Sequence, residues 1–514
     1  MTMPRPWWQT GVVYQIYPRS FADADGDGIG DLAGIRRHLD HLVWLGVDAL
    51  WLSPFYRSPM RDFGYDVADH CDVDPLFGSL ADAERLIDDA HARGLRVLID
   101  FVPNHTSDQH PWFQESRADR TNPRRAWYVW RDPRPDGGPP NNWRAAFSDV
   151  PAWTLDPRTG QYYLHCFLPE QPDLDWSHPP VVQAMHDVLR FWLARYVDGF
   201  RIDVAHLIGK DPALADVPAP VAGLPQVVLN DRPETHALLR ALRSLVDGYP
   251  GDRMTVGEIY LLETERVASY YGRDDELHLA FNFPPLYAPW TADAWRQQLA
   301  SAAATLDPKG AWPTWVLSNH DNKRHRTRYG GDERRARAAA VLLLTMRGTP
   351  FLFQGEELGL EDAHVDAAAR RDPGGRDGAR APMPWERAAP HGWTGAQPWL
   401  PFPPDAAAGS VEQLQSDPTS ILHLYRRLLG LRRALPALHA GAQVPLAAPD
   451  GVVAFERSEG SSRVAVFVNY TEEPITLRHT PGTLLASSVT IHETTPSFAG
   501  VLAPYEAVVV HLAT

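Results

Sequence analysis

Short apolar runs alternate with longer segments of helical periodicity along most of this sequence, and that alternation constrains the fold more than any other feature. The runs are rich in valine, leucine, isoleucine and phenylalanine, as expected of strands buried on both faces. Such a series predicts an α/β fold, a parallel (β/α)8 TIM barrel, although a doubly wound open sheet would give the same coarse pattern. The eight candidate strands are residues 12–17, 47–52, 95–101, 197–203, 254–257, 277–283, 314–318 and 350–353.

Amphipathic helices are predicted between the runs. Leucine and isoleucine recur at helical spacing from residue 32 to residue 45, between a candidate N-cap at Asp31 and a terminating Gly46. Further helices are predicted at 80–90, 180–196, 234–246 and 421–433.

Two long segments and a change of period divide the chain into domains. Residues 106–178, rich in Trp, Pro, Asp and Asn, far exceed the usual βα loop of about 2 to 6 residues. We therefore expect a barrel of residues 1–105 and 179–438, with an inserted domain, 106–178, after the third strand. A second excursion, 361–404, follows the eighth strand. The period then becomes two, which predicts an antiparallel β-sandwich over residues 439–514.

The charge balance restricts the partners. The net charge of -15 argues against nucleic acid or an anionic membrane and favours a neutral small molecule. The longest apolar run, 338–346, is too short to span a bilayer. Two cysteines, Cys71 and Cys166, give neither a disulfide framework nor metal-ligand spacing, so a reducing, cytoplasmic location is expected. The oligomeric state is left open.

A carboxylate-rich loop after the first strand predicts a cation site. Asp23, Asp25, Asp27 and Asp31 lie at mostly alternate positions among glycines, a pattern that can fold oxygens around Ca²⁺. Ile29 would add its backbone carbonyl. Gly34 stands where an EF-hand needs its bidentate Glu, so a full EF-hand is not expected. An acidic solvated turn is the alternative, and a metal here would be structural.

Polar residues cluster where the predicted strands end. In a barrel those positions meet at one rim, where functional groups sit. One such acid can simply cap the next helix, and Asp321 could be no more than that, but acids and histidines at several strand ends are better explained by a common site. They are Asp100, Asn104, His105, Arg201, Asp203, Glu258, Asn319, His320 and Asp321, with Tyr65 and Asp66 in the loop after the second strand.

Two of these acids differ in their sequence neighbours. Arg201 lies two positions before Asp203, on the same strand face, and a neighbouring arginine lowers the pKa of a carboxyl, so Asp203 is predicted to be an anion and a nucleophile. Glu258 has apolar neighbours, which raise a carboxyl pKa and favour a proton donor. On adjacent strands about 4.8 Å apart, two such acids fit a retaining glycosidase. A structural ion pair is the alternative for Arg201 and Asp203.

Four motifs give the sequence a resemblance to the α-amylase superfamily of glycoside hydrolases, closest to its α-glucosidase and oligo-1,6-glucosidase branch. They are Asp100-Phe-Val-Pro-Asn104-His105, Gly199-Phe-Arg201-Ile-Asp203, Val256-Gly-Glu258 and Asn319-His320-Asp321. The resemblance implies Asp203 as nucleophile, Glu258 as acid/base and Asp321 as third acid. The loop of residues 23–31 resembles that branch's calcium site. A fifth motif, 171–175, departs from the branch by ending in Asp175.

The resemblance also implies a closed glucose pocket and exo-action. Asp66, His105 and Arg380 would grip the terminal sugar, His320 with Asp321 would hold hydroxyls of the distorted ring, and Arg201 would bind substrate beside the catalytic acids. Tyr65, Phe147 and Phe167 could offer flat faces to it, or simply pack in the inserted domain. Val204 resembles the residue of the α-1,6-acting members.

The function expected is therefore a retaining exo-α-glucosidase that acts on short oligosaccharides or small α-glucosides (α-1,4 and/or α-1,6, with a lean to α-1,6) through a glucosyl intermediate on Asp203. A transglucosylase or glucoside isomerase using the same site is the nearest alternative. A third interpretation is a non-catalytic transporter subunit, which is disfavoured because all three acids are present and no membrane span is evident.

Overall fold

The computed structural model describes residues 5–147, 150–478, 482–490 and 496–512. The ends of the predicted barrel and C-terminal domains, 1–4 and 513–514, lie outside the described residues. So do 148–149 of the predicted inserted domain and 479–481 and 491–495 of the predicted β-sandwich.

Eight parallel strands form the central sheet, and each lies within or one residue beyond a run predicted from the sequence. They are β1 Val13–Ile16, β2 Ala49–Leu52, β3 Arg96–Phe101, β4 Gly199–Ile202, β5 Met254–Gly257, β6 Leu279–Ala280, β7 Thr314–Val316 and β8 Thr349–Phe353. Their order in the sheet is β6-β5-β4-β3-β2-β1-β8-β7, and every pairing is parallel. The prediction of a (β/α)8 barrel is confirmed.

A side chain joins the two strands at the ends of the sheet, β6 and β7, and closes the barrel. The Thr314 hydroxyl at the start of β7 donates to the Ala280 carbonyl of β6 at 2.7 Å and accepts from the Asn282 amide at 3.2 Å. This hydroxyl takes the place of ladder bonds, which explains why β6 is shorter than the predicted run.

Burial on both faces explains why the strands are continuously apolar. Val13, Trp51, Leu98 and Val256 belong to the cluster inside the barrel, where Trp51 also contacts the ring of Phe281 at 5.6 Å. The residues next to these along each strand point their side chains to the other face of the sheet, where they pack against the surrounding helices. The α-helices among the described residues are Trp7–Thr10, Leu32–Arg37, Leu39–Leu45, Leu80–Ala92, Pro111–Ala118, Pro179–Leu193, Gln226–Leu229, Pro233–Asp247, Thr264–Ser269, Ala292–Leu306, His325–Arg328, Glu333–Thr345, Val411–Ser416, Ile421–Ala434 and Pro436–His439.

The segment between β3 and β4 carries its own small sheet. Three antiparallel strands, Trp130–Arg131, Trp153–Asp156 and Gln161–Leu164, pair with the last in the middle. Two single bridges, His105 with Asp173 and Tyr128 with Leu174, join the start of this segment to its end. The residues near the barrel rim are therefore held by the inserted segment as well as by the barrel.

The C-terminal part is antiparallel, as its period of two predicts. Five strands, Ala442–Pro445, Val452–Glu459, Ser462–Asn469, Gly482–Ser487 and Ala507–Leu512, form one sheet, and Ile475–Thr476 pairs with Val501–Leu502 in a second. Val466 packs into the same core as the barrel helices, whereas its neighbour Phe467 belongs to a separate cluster. Among the described helices, none has both the length and the apolar character needed to cross a bilayer.

Two buried glutamates, Glu356 and Glu357, lie three and four residues after the end of β8. Glu357 accepts a hydrogen bond from the Tyr14 hydroxyl at 2.7 Å, and Glu356 accepts one from Tyr425 at 3.2 Å. Burial raises the pKa of Glu356 to about 8 and that of Glu357 to about 7. The folded chain therefore holds protons here that the unfolded chain releases near its ordinary glutamate pKa of about 4.3.

These glutamates predict a loss of stability in alkali. A pKa raised by folding stabilises the fold fully below the unfolded pKa, and that contribution is lost as pH rises through about 7 to 8. The melting temperature should therefore fall from pH 6 to pH 9, and less steeply in Glu357→Gln, which cannot ionise. Calorimetry across this range measures the slope, with exposed Glu459→Gln as control. Equal slopes in all three proteins would contradict the prediction.

Candidate active site

A cavity of about 330 Å³ opens at the carboxyl ends of the barrel strands. Eight of the residues predicted to be catalytic or substrate-binding line it: Tyr65, His105, Phe147, Phe167, Asp203, Val204, Glu258 and Asp321. So does Asn319 from the predicted strand-end cluster. Four others, Asp66, Arg201, His320 and Arg380, are buried and lie outside the lining. The rest of the lining is Asp62, Ala146, Pro225, Val227, Val228, Tyr260, Phe283, Asn322, Gly374 and Arg376.

The buried guanidinium of Arg201 joins three carboxyls at the floor of the cavity. Its Nη1 donates to Asp100 Oδ1 at 2.6 Å and to Asp203 Oδ1 at 2.7 Å, and its Nη2 donates to Glu258 Oε2 at 2.5 Å. The four residues come from the adjacent strands β3, β4 and β5 or the positions just after them. One cation therefore fixes the positions of both predicted catalytic acids.

The predicted contrast between the two acids needs correction. Glu258 has no cation near it in sequence, yet it contacts Arg201 as closely as Asp203 does. The pKa of Asp203 is raised, not lowered: burial raises it well above its usual value, Arg201 opposes this, and Glu258 and Asp100 add to it. The prediction from the i, i+2 spacing included Arg201 alone. It left out burial and the carboxyls on the neighbouring strands, which raise the pKa of Asp203.

The Asp203 and Glu258 carboxyls also hydrogen-bond to each other. Two buried carboxyls in such contact share one proton, because both cannot ionise together at low cost. Arg201 donates to one oxygen of each carboxyl and offsets the negative charge that remains.

Backbone geometry after the predicted nucleophile orients Glu258. Val204 has φ 34° and ψ 49°, in the left-handed region that a β-branched residue rarely adopts. In this conformation the Val204 amide donates to Glu258 Oε2 at 3.2 Å, beside the bond from Arg201. Both donors contact Oε2, and neither contacts Oε1.

A chain of hydrogen bonds supports the floor from behind. Gln15 Nε2 donates to His320 Nδ1 at 2.7 Å, so His320 Nε2 carries the ring proton and donates to Tyr65 at 2.7 Å. Tyr65 donates in turn to Asp100 at 3.3 Å. Burial lowers the pKa of His320 well below its usual value, so the ring is neutral and its tautomer is fixed by this chain.

A second charged cluster closes one end of the cavity. Arg376 donates to Asp62 at 2.6 Å, to Asp321 at 2.8 Å and to Asp372 at 2.6 Å. Although burial acts against it, the positive charges of Arg376 and Arg380 hold the pKa of Asp321 well below its usual range. Asp321 is therefore an anion, and Arg376 connects the third acid to a second carboxylate on the wall.

Asp66 and Arg380, which were predicted to grip the terminal sugar, do not line the cavity. Asp62 and Arg376 line it instead. Asp66 is fully buried and accepts from the amides of residues 61 and 62 and from Ser58, so it shapes the loop that presents Asp62. Arg380 is also fully buried and contacts the His320 carbonyl and Asp321 from behind, while Arg376, one helical turn earlier, lines the cavity. The sequence contains both candidates in each loop, and only their packing distinguishes them.

The predicted aromatic residues form one wall. The ring centroids of Phe147 and Phe167 are 5.7 Å apart, and the Arg376 guanidinium lies 4.5 Å from the Phe147 ring. His105 lies 5.1 Å from Phe167, and burial lowers the pKa of its imidazole to about 4, so it is neutral. Phe147 and Phe167 therefore face the site as well as packing in the inserted segment.

The predicted cation loop brings three carboxylates together. Single oxygens of Asp23, Asp25 and Asp27 lie within 4.8 Å of one another. Burial, with the charges of Asp25, Asp23 and Asp31, raises the pKa of Asp27. Asp31 begins a helix, accepting from Gly34 at 2.6 Å and from Ala24 at 2.9 Å. The donor set fits a hard cation such as Ca²⁺, which would neutralise this crowding.

Comparison with known proteins agrees with this arrangement. The family described as α-amylase, catalytic domain, matches residues 15–441. A probable α-glucosidase of Rhizobium meliloti (strain 1021) is 42% identical over 506 residues, covering 92% of this chain and 91% of the relative. An oligo-1,6-glucosidase of Parageobacillus thermoglucosidasius is 36% identical over 520 residues, 92% of each. The crystal structure of an α-glucosyl transfer enzyme, XgtA, is 41% identical with a TM-score of 0.92 over 99% of this chain and 100% of that one.

Proposed function

Because this chain belongs to the α-amylase family of glycoside hydrolases, in its α-glucosidase and oligo-1,6-glucosidase branch, we propose that it is a retaining, exo-acting α-glucosidase. Its substrates are short oligosaccharides or small α-glucosides, from which it removes the terminal non-reducing glucose. The reaction passes through a covalent glucosyl–Asp203 intermediate.

One observation carries this proposal: Asp203 and Glu258 share the Arg201 guanidinium and hydrogen-bond to each other at the cavity floor. Carboxyls in such contact leave no room for a water between them, which an inverting enzyme needs at roughly 6.5 to 9.5 Å. The closer spacing suits direct attack on the sugar by one carboxylate.

The chemistry follows from the two oxygens that Arg201 leaves free. An Asp203 carboxylate oxygen bonds to the anomeric carbon as the glycosidic C–O bond breaks, and the proton on Glu258 Oε1 passes to the departing oxygen. Water then gives a proton back to Glu258 while its oxygen bonds to the anomeric carbon, and the Asp203 carboxylate leaves. Two displacements restore the original anomeric configuration.

The charged cluster at the closed end supports exo-action. Asp62 and Arg376 offer a carboxylate and a fork of donors to the hydroxyls of a terminal sugar. Asp321, an anion beside Arg376, can bind hydroxyls on the reacting ring. A chain extended beyond the terminal sugar would meet this ion pair instead of open solvent.

The decisive experiment follows the anomeric signal of released glucose by NMR. The protein is incubated separately with maltose, isomaltose, sucrose and trehalose. We expect α-glucose to appear first and then to mutarotate. Initial β-glucose would overturn the retaining mechanism, and no glucose from any of these or from simple alkyl α-glucosides would overturn the function.

A transfer reaction at the same site is the second candidate, because a similar solved structure is named as an α-glucosyl transfer enzyme. In that reaction a sugar or alcohol, in place of water, takes the glucosyl group from Asp203. Product analysis at high acceptor concentration separates the two. Free glucose as the main product supports hydrolysis, whereas a glucoside of the acceptor supports transfer.

We further propose a lean toward α-1,6 linkages. Val204 lines the cavity next to both catalytic acids, with a methyl where a threonine would present a hydroxyl to the second sugar. One group of this size is worth about 1 to 3 kcal/mol of discrimination. The ratio of kcat/KM for isomaltose and maltose should therefore favour isomaltose and shift toward maltose in Val204→Thr.

We propose that the loop of residues 23–31 holds a structural Ca²⁺. Asp23, Asp25 and Asp27 supply the clustered carboxylates, and Gly28, at φ 90°, lets the loop pack against residue 397, whose carbonyl oxygen would lie 2.2 Å from an added Cβ. Bound Ca²⁺ supplies charge neutralisation. The loop packs against residues 394–397 of the excursion that also carries Arg376, so its order supports the closed end.

Asp23→Ala tests the metal. In the unchanged protein a chelator should lower the melting temperature, because a ligand that binds only the folded state stabilises it. The variant should melt lower, show no further effect of chelator and contain less than one Ca²⁺ by elemental analysis. Exposed Asp293→Ala is the control. A calcium-free protein whose melting temperature ignores chelator would contradict the site.

A reducing, cytoplasmic compartment completes the proposal. The two cysteines, half-buried Cys71 and buried Cys166, are free thiols in the structure. Burial raises the pKa of both thiols, to about 11 for Cys71, so both stay protonated and unreactive. Fold stability therefore does not depend on oxidation.

A further inference from the structure

One side of the cavity is apolar. Ala146, Phe167, Val204 and Leu207 belong to one buried cluster, and Val227 packs against it. Pro225 and Val228 continue the same lining. The residues come from the loops before and after β4.

This apolar wall adjoins the proton donor. The Val204 amide donates to Glu258 Oε2 at 3.2 Å, and the Ala205 amide donates to the Glu258 backbone carbonyl at 2.9 Å. Under the proposed function Glu258 protonates the departing oxygen. Whatever is attached to that oxygen therefore lies against Val204 and its neighbours, while the glucose lies toward Arg376.

Polar groups near this wall are already paired with protein atoms. His206, neutral because burial lowers its pKa to about 4, donates from Nε2 to the Val227 carbonyl at 2.7 Å. The hydroxyls of Tyr260 and Tyr287 bond to each other at 2.5 Å. A second sugar would lose water from several hydroxyls here and gain few new partners, which is costly. An alkyl or aryl group has no such cost.

The cavity mouth shows the same character. Three large apolar side chains are exposed in the surrounding loops: Phe147 at 38%, Leu224 at 45% and Tyr287 at 45%. Each lies in the cavity lining, next to a lining residue along the chain or, for Tyr287, in contact with one. Exposed apolar side chains gathered at one opening indicate an apolar ligand.

We infer that the departing-group end of the cavity accepts an alkyl or aryl aglycone in preference to a second sugar, with Val227 and Val228 as specificity-determining residues. This inference rests on the proposed α-glucosidase function and specifies its substrate class. The reaction remains hydrolysis: the glucosyl–oxygen bond of the alkyl glucoside breaks, Glu258 gives the departing oxygen its proton to form the alcohol, and water then supplies the oxygen and proton that complete glucose and Glu258.

A series of alkyl α-glucosides isolates the effect of this wall. Methanol and butanol are similarly poor leaving groups, so methyl and butyl α-D-glucoside differ mainly in the apolar surface they bury. Each fully buried methylene is worth about 0.8 kcal/mol, so partial burial of three should raise kcat/KM for the butyl glucoside roughly tenfold over the methyl glucoside. The butyl glucoside should also exceed isomaltose in kcat/KM.

Substitution of the two valines tests their role. In Val227→Thr/Val228→Thr, which keeps the side-chain shape and adds two hydroxyls, the butyl-to-methyl ratio should fall at least threefold. Val444→Thr, a matched change at a 54% exposed position in the C-terminal sheet, should leave both the ratio and the activity unchanged. Circular dichroism checks that the double variant folds. If it does not fold, Val227→Thr and Val228→Thr are measured separately.

The outcomes separate this inference from the function on which it rests. Glucose release from isomaltose with a butyl-to-methyl ratio near one, or a ratio that the valine changes leave unaltered, overturns the inference and leaves the α-glucosidase proposal standing. Failure to release glucose from all of the substrates overturns both.

Discussion

Asp203→Asn is expected to lower kcat by about 10⁴-fold or more, because the amide cannot form the glucosyl intermediate. Its fold should persist, since Asn keeps the size of the side chain and an oxygen for Arg201, which contacts Asp203 at 2.7 Å. The melting temperature should stay level or rise, because the change removes one of the three carboxyls gathered around Arg201 at the cavity floor. Steady-state kinetics with calorimetry on the same samples measures both effects.

A matched control distinguishes the loss of the nucleophile from a general effect of removing one negative charge. Asp293→Asn makes the same change at a 93% exposed side chain whose ion pair with Arg296 contributes little, so activity should be unaltered. A kcat for Asp203→Asn within tenfold of the unchanged protein would remove Asp203 from the nucleophile's role. A large fall in both kcat and melting temperature would instead assign it a structural role.

The barrel could be predicted because its strands obey a local rule. Each is buried on both faces, so the sequence needs only apolar runs at regular spacing, and Val97 and Leu98 illustrate the two faces of β3. The exception is β6, where a side chain from β7, the Thr314 hydroxyl, replaces ladder bonds. Such a contact joins residues 34 apart in sequence and carries no local signal.

The site could be predicted only as far as strand ends define it. Asp203 and Glu258 lie at or just past the ends of consecutive strands, so their meeting follows from the fold. The protonation of the pair did not follow, because it depends on burial and on a third carboxyl, Asp100, from another strand. The closed end lies on two long loops, where the residue facing the cavity is decided by packing between segments distant in sequence.

Arg201 shows how one residue can be both a structural and a functional element. With three carboxyls in contact and almost no exposure, it is a buried ion-pair network whose net contribution to stability need not be large. Its value lies in position: it holds the nucleophile and acid at one spacing and leaves one oxygen of each facing the substrate. The ion pair between Arg201 and Asp203 is therefore both a structural element and a part of the proposed active site.

Arg376→Lys is expected to lower kcat/KM by about 10²-fold, mostly through a higher KM, because it disrupts the closed end of the cavity. Arg376 donates from Nη2 to Asp62 at 2.6 Å and to Asp372 at 2.6 Å, and from Nη1 to Asp321 at 2.8 Å. A lysine ammonium is a single point charge and cannot satisfy all three. Loss of one or two charge-assisted bonds, each worth about 1.5 to 3 kcal/mol, gives an effect of this size.

Arg380→Lys is the matched comparison, because the two arginines lie in the same short stretch and both contact Asp321. Arg380 is fully buried behind the wall, so its replacement should chiefly lower the melting temperature and change KM far less than Arg376→Lys does. Exposed Arg433→Lys should change neither quantity. If Arg380→Lys raised KM strongly while Arg376→Lys did not, Arg380 would be the residue that grips the sugar. The roles assigned to the two arginines, Arg376 in the cavity lining and Arg380 behind it, would then be exchanged.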